Sequence, residues 1–208
     1  MKKPIFAFFS VFVYNQGMAG IKFLFEDPKR QGLLFISIVL VAYLYLARPM
    51  NFITDLVIHG GYAYLALGRE GIRVIDISDP DSVSEVSYYN TAGTVNGIEI
   101  RGNFAYIADG EAGLRILDVS DPNHIQEVGL YNTRGNAEDV SVEGKYAYVA
   151  DGKNGLQIIN IEDNTNPVIF YSFKLPGSIH RVDVVGKLVF LADNKRRLRV
   201  VDISKPNN

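Results

Sequence analysis

Between residues 94 and 135 apolar and polar positions alternate in four short bursts separated by turn-forming residues. Val95 to Ile100 places Ile98 and Ile100 two apart, the spacing that puts side chains on one face of a strand. It ends at Arg101-Gly102-Asn103, where glycine supplies the positive φ of a tight hairpin. Phe104 to Ala108 is the second expected strand. Asp109-Gly110-Glu111-Ala112-Gly113 then turns the chain, with an aspartate able to bond its own backbone and glycines free to adopt left-handed conformations. Leu114 to Val119 is the third strand, stopped by Ser120-Asp121-Pro122 because proline has no N–H to continue a ladder. Glu127 to Tyr131 is the fourth, and Asn132-Thr133-Arg134-Gly135 leads onward. The pattern predicts an antiparallel meander of four strands.

The same pattern returns along the chain. Gly60-Gly61-Tyr62-Ala63-Tyr64 reappears as Gly102-Asn103-Phe104-Ala105-Tyr106, as Gly144-Lys145-Tyr146-Ala147-Tyr148 and as Gly186-Lys187-Leu188-Val189-Phe190, each 42 residues on. A fixed period of roughly 40 to 50 residues marks a repeat architecture whose units bury their faces against neighbours. The third strands, at 72–76, 114–118, 156–160 and 198–202, are nearly continuous apolar runs, so both of their faces need cover. A four-stranded sheet covered on both sides by copies of itself is a β-propeller blade. The expected fold is therefore all-β, with blades at 52–93, 94–135, 136–177 and an incomplete one at 178–208. That is about 3.75 blades against the four or more of closed propellers, which implies either part of a longer array or an open arc closed by a partner.

The first 50 residues read differently. Residues 33–47 carry no charge and extend to about eighteen residues between Gly32 and Pro49, near the lower limit of a spanning helix. A transmembrane helix over 32–49 is the expectation, with 1–31 a cytoplasmic or signal-like segment. Lys22, Lys29 and Arg30 precede the run and Arg48 follows it, which places the N-terminus inside and the repeats outside the cytoplasm. Two alternatives stay open. Residues 1–25 could be a signal peptide or a first span, either of which would put the repeats in the cytosol. Residues 43–47 also fall 42 before Glu85–Tyr89, in register with an outer strand.

Composition removes several function classes. A formal charge of -2 with 12% aromatic residues describes neither a basic nucleic-acid binder nor a disordered acidic tail. Absence of cysteine excludes disulfides, thiolate metal sites and cysteine nucleophiles.

The third strands, with Ser-Asp-Pro after them at 78–80 and 120–122 and Ala105-Tyr106-Ile107-Ala108-Asp109-Gly110 ahead of one, resemble the LVIVD repeat of bacterial and archaeal β-propellers. The resemblance covers about residues 52 to 208. Asn160 and Glu162 depart from it in the third unit, and Lys205 replaces an aspartate in the fourth. It implies an exported or surface-attached propeller, usually with more blades than this, of largely unassigned function.

Repetition separates scaffold from site: a residue recurring in every unit serves the blade, and a ligand is expected where units differ. Asp76, Asp118, Asn160 and Asp202 recur and are expected to accept backbone hydrogen bonds. Arg73, Arg115 and Arg199 recur, with Gln157 in the third unit, and are expected to send charged heads off buried stems into water. The variable positions gather at the starts of first strands and at the second-to-third turns, which a meander places on one face. Asn96, Glu138, Asp139, His180 and Arg181 are the ligand-binding candidates there. His180 with Glu138, Asp139 and Asp183 is the one set with acid-base or metal-ligand chemistry, but one histidine and scattered carboxylates fall short of the usual three well-placed ligands. Neither a catalytic residue, a metal site nor a cofactor is assigned. The functional expectation is a membrane-anchored extracytoplasmic propeller binding a protein or glycan without catalysis, able to self-associate through an open edge strand. The rival is a hydrolase or lyase with its site near His180 or on further blades.

Overall fold

A computed structural model describes residues 53–195 and 197–204. The segment 1–31 and the span expected over 32–49 lie outside the described residues. Among those residues every regular element is a strand, and no helix is long and apolar enough to cross a membrane.

Blade 1 comprises β1 (Asp55–His59), β2 (Tyr62–Ala66), β3 (Ile72–Asp76) and β4 (Ser84–Tyr89). Blade 2 comprises β5 (Gly97–Arg101), β6 (Phe104–Ala108), β7 (Leu114–Asp118) and β8 (Gln126–Tyr131). Blade 3 comprises β9 (Asp139–Glu143), β10 (Tyr146–Ala150), β11 (Leu156–Asn160) and β12 (Val168–Phe173). Blade 4 has β13 (Ile179–Val185), β14 (Leu188–Asp193) and β15 (Leu198–Asp202). Each sheet pairs its strands in chain order, all antiparallel. The expected meander holds, with strand ends within two residues of those read from the pattern.

The apolar third strands do face two ways. In blade 2, Tyr106, Ala108, Leu114 and Ile116 pack with Val140, Val142, Ala147 and Val149 of blade 3. Ala105, Ile107 and Leu117 of the same sheet pack with Tyr64, Ile72 and Val74 of blade 1. Tyr148, Leu156 and Ile158 repeat the arrangement against Val182, Val189 and Leu191 of blade 4. Burial removes apolar area from water on both faces, so these sheet interfaces carry the main stabilisation.

Backbone bonds stitch the sheets together at one end. Gly110 and Ala137 exchange both N–H···O=C bonds, at 3.1 and 2.9 Å, while Val95 donates to Gly68 O and Ile179 to Gly152 O. The three glycines have φ of 56 to 58°, a left-handed conformation that turns the carbonyl towards the next blade. The third-to-fourth strand pairing is bulged at one site per complete blade, between Val74/Ile75, Ile116/Leu117 and Ile158/Ile159. The extra residues of the first two, Val86 and Val128, tuck towards the following blade's core. The first two bulged strands share Glu-Val-x-x-Tyr-Asn at 85–90 and 127–132, but alternation alone does not mark which residue is extra. The sheets form a propeller-like array that is not closed.

Candidate functional site

A first strand is the inner edge of its sheet, so half of its N–H groups face away from the second strand and need acceptors. Carboxylates supply them. Asp55 accepts from Leu56 N at 2.9 Å through Oδ1 and from Ile98 N of blade 2 at 3.0 Å through Oδ2. Asp139 does the same two blades later, accepting from Val140 N at 3.0 Å and from Val182 N of blade 4 at 2.9 Å. Between blades 2 and 3 the acceptor is Glu99, which takes Val142 N at 2.8 Å. Each latch joins a carboxylate to the N–H 43 residues on. Thr54 Oγ1 donates to Val95 O and Asn96 Nδ2 to Ala137 O, so both side chains at the starts of first strands also bridge blades.

The candidate residues divide accordingly. Asn96 and Asp139 are committed to the neighbouring blade. His180 and Arg181 face solvent, and Glu138 is half-buried and accepts from Asn136 Nδ2: His180 Nδ1 lies 3.8 Å from Glu138 Oε2, and Arg181 Nη1 lies 3.6 Å from Asp139 Oδ1 with its side chain 58% exposed. Asp183 accepts from Val184 N at 2.8 Å. Among the described residues no three His, Asp or Glu side chains are grouped to hold a metal ion. His59 ends β1 at the far end of its sheet, and His124 pairs with Asp121 in a third-to-fourth turn at that same end.

Burial pushes the Asp139 carboxyl up to about 7, aided by the Asp55 charge, while the Val182 N–H and Arg181 pull it back. Burial likewise raises Asp55, against the Ile98 and Leu56 N–H groups and Arg181. Arg181 of blade 4 thus acts on carboxylates of both blade 3 and blade 1.

A second polar layer was not anticipated. The aspartate of the second-to-third turn, at Asp109, Asp151 and Asp193, is buried. Asp109 accepts from Thr91 Oγ1 at 2.6 Å and Gly93 N at 3.0 Å, and lies 3.5 Å from Arg115 Nε. Arg115 also reaches Glu127 at 3.2 Å. Asp193 accepts from Lys195 N, Arg197 N and the guanidinium groups of Arg197 and Arg199. Burial pushes Asp193 up, but these donors outweigh it and hold the carboxyl below its usual range. The recurring arginines are therefore not directed to water: Arg115 and Arg199 pair with a buried aspartate six residues back, an attraction stronger inside the protein than outside. Blade 1 has Leu67 at this position, and Arg73 turns instead to Asn90 and the Tyr88 ring. The other recurring set, Asp76, Asp118, Asn160 and Asp202, accepts the N–H two residues on, as expected, but in exposed turns rather than in the core.

Blade 3 breaks the pair. Gln157 replaces arginine and donates to Asn154 O, so Asp151 keeps Thr133 Oγ1 at 2.6 Å on one oxygen while its buried Oδ2 has no partner. Burial raises this carboxyl to about 6, against the Thr133 and Asn154 hydrogen bonds. A folded value above the unfolded one of about 3.9 means stability is full below that lower value and is lost as pH rises through about 6. Thermal melts should show a decline in Tm from about pH 4 to 6 that Asp151→Asn flattens. Gln157→Arg should restore the pair of blade 2, raise Tm at pH 7.5 by the equivalent of about 1 to 2 kcal/mol, and flatten the same slope. A drop in Tm for Gln157→Arg would show that the third sheet lacks room for the guanidinium.

A concavity of about 320 Å³, lined by Asn160, Glu162, Asp163, Asn166 and Val168, lies at the opposite end of blade 3. Its polar groups are committed to turns: Asp163 Oδ1 accepts from Thr165 N and Oγ1, and Asn160 Oδ1 from Glu162 N.

Comparison with known proteins fits this construction. The computationally designed Ika4 protein is similar in structure, with a TM-score of 0.61 at 12% identity over 75% of this chain and 94% of that one. The computationally designed Ika8 protein gives 0.62 at 10% identity, the match spanning 47% of its length. At these identities the likeness is one of fold alone. Among curated proteins none matches in sequence. The LVIVD repeat family model matches residues 53–91, 92–133, 134–174 and 176–208, so each blade is one repeat and the chain belongs to the LVIVD repeat family.

Proposed function

We propose that this chain is a non-catalytic binding module, a propeller whose loop face at the starts of the first strands receives a protein or glycan. One observation carries the reading. Asp55 and Asp139 at that face are spent on inner-edge N–H groups, whereas His180 and Arg181 differ from blade to blade and face solvent, with half-buried Glu138 beside His180. An exposed guanidinium beside an imidazole and a carboxylate offers donors and acceptors for sugar hydroxyls or polar peptide groups. Asp139, with an N–H on each oxygen, is not placed to exchange protons with a substrate.

The full chain should be applied to a printed glycan array and, immobilised, to a library of soluble peptides. Selective binding that His180→Ala and Arg181→Ala each weaken by at least about tenfold, roughly one or two lost polar contacts, supports the proposal. Saturable hydrolysis or elimination of a bound compound, abolished by His180→Ala, would replace it with the enzyme reading.

A further inference from the structure

The formal charge of -2 hides an uneven distribution. At the end where first strands begin, blades 3 and 4 expose Arg134, Lys153, Lys174, Arg181, Lys195 and Arg197. The carboxylates interspersed with them at Asp139, Asp151 and Asp193 are buried, which leaves half-buried Glu138. The turns of blades 1 and 2 carry no such excess, since Arg69 is matched by Glu70 and Glu111. At the opposite end acids dominate, with Asp79, Asp81, Asp121, Glu162 and Asp163 exposed in third-to-fourth turns.

Hydrogen bonds join the cationic loops into one band. Thr133 Oγ1 donates to Asp151 Oδ1 at 2.6 Å, tying the link that carries Arg134 to the turn that carries Lys153. Ile179 N donates to Gly152 O at 2.9 Å, which joins that turn to the strand bearing Arg181. Asn194 N donates to Ser178 O at 3.0 Å, joining the turn of Lys195 and Arg197 to the link that begins at Lys174. Arg181 and Arg197 pair with buried Asp139 and Asp193, yet their side chains stay 58% and 51% exposed. Among the described residues no carboxylate pairs with Arg134, Lys153, Lys174 or Lys195, whereas Lys145 at the opposite end pairs with Glu162. Arg134 also holds a φ of 64°, the one positive value at a non-glycine among the described residues. Such a conformation costs about 1 kcal/mol or more and clusters at ligand sites.

Positive charges carried on successive loops suit a ligand with repeated negative charges, whereas a small anion needs groups that converge on one point. None of the exposed large apolar side chains lies in these loops, so neither an anchored peptide side chain nor a stacked base is provided for. Exposed Asn132, Asn136 and Asn194 stand between the cations and carry donors and acceptors for hydroxyl groups. We infer that this band binds an acidic polysaccharide, its carboxylate or sulfate groups set against the cations and its hydroxyls against the asparagines. The inference rests on the binding role proposed above and names the ligand class.

The full chain should bind polygalacturonate or dextran sulfate but not neutral dextran, and salt should weaken the binding because exposed charges are screened. Lys153→Glu combined with Lys195→Glu, both in exposed turns, should weaken it about tenfold or more. Lys145→Glu combined with Lys187→Glu makes the same change of net charge at the opposite end and should leave binding within about twofold. Equal losses in the two double variants would overturn the inference, since net charge alone would then set affinity. Poly-L-glutamate or phosphatidylglycerol vesicles bound more tightly than either polysaccharide would overturn it in favour of a peptide or a membrane. A dimer dispersed by the Lys153 and Lys195 reversals, with no polysaccharide bound, would assign the band to the acidic end of a second copy. A neutral glycan whose binding depends on His180 but not on the two lysines would overturn this inference and leave the binding role standing. A glycan array and a peptide library that yield no ligand at all would remove both.

Discussion

Asp109→Asn is expected to lower the stability of the array by about 3 to 5 kcal/mol, whereas the equivalent Asp151→Asn should change it by less than about 1 kcal/mol at pH 7.5. The two aspartates occupy the same place in successive repeats and are both buried. Asp109 answers the Arg115 guanidinium, the Thr91 hydroxyl and the Gly93 N–H. Asparagine leaves the half-buried Arg115 guanidinium with Glu127 alone and turns one acceptor into a donor facing a donor. Burial pushes the Asp109 carboxyl up, against the Thr91 and Gly93 bonds and Arg115. At Asp151 there is no guanidinium and one oxygen is orphaned, so an amide loses little and spares the cost of a buried charge. Thermal melts resolve the difference, since about 1 kcal/mol corresponds to roughly 2 to 4 °C in a chain of this size. Equal losses at both positions would show that the Arg115 pair contributes nothing.

Gly113→Ala should be nearly as damaging, costing about 3 kcal/mol or more, against about 1 kcal/mol for Gly102→Ala. Both glycines have positive φ, 81° and 57°, so an L side chain is strained at either. They differ in space. A Cβ on Gly113 would sit 2.4 Å from Tyr131 O and 2.7 Å from Thr133 N, backbone atoms at the end of β8, whereas one on Gly102 meets nothing within 4 Å. Relieving that clash means moving the chain that carries Thr133 to its bond with Asp151. Gly71 and Gly155 have the same neighbours in their own blades, so the cost should recur there. Chemical denaturation of the four variants tests this, and a Gly113→Ala protein as stable as Gly102→Ala would contradict it.

Strand order was legible because each strand writes its own signal: alternation, a glycine hairpin, a proline stop. The third strands announced their two-sided burial through continuous runs such as Leu114–Asp118, and Leu117 and Ile116 do face opposite neighbours. The buried aspartates were legible in position but not in role. Asp109 reads as a turn residue because its partners, Thr91 and Arg115, lie across the sheet rather than along the strand. Repeats compared with one another do hold the signal: arginine at 115 and 199 accompanies aspartate at 109 and 193, and both blades that break the pattern lose one partner, Leu67 or Gln157. The latches from Asp55, Glu99 and Asp139 were hidden for another reason. Which inner-edge N–H needs an acceptor depends on the direction in which it points, and that is fixed only by pairing with the second strand. Hence Asp139, read as a ligand candidate, is tied up between blades, while His180 and Arg181 stay exposed.

The division between recurring scaffold and blade-specific mouth is tested most directly by measuring Tm and glycan-array binding together for the full chain and for Asp109→Asn, His180→Ala and Arg181→Ala. The account predicts that the two mouth variants melt within about 2 °C of the parent, less than about 1 kcal/mol, and lose its array signal. It predicts that Asp109→Asn melts about 10 °C lower and, below that temperature, keeps the signal. The opposite pattern, mouth variants that melt low and bind as before with Asp109→Asn stable and silent, would contradict it.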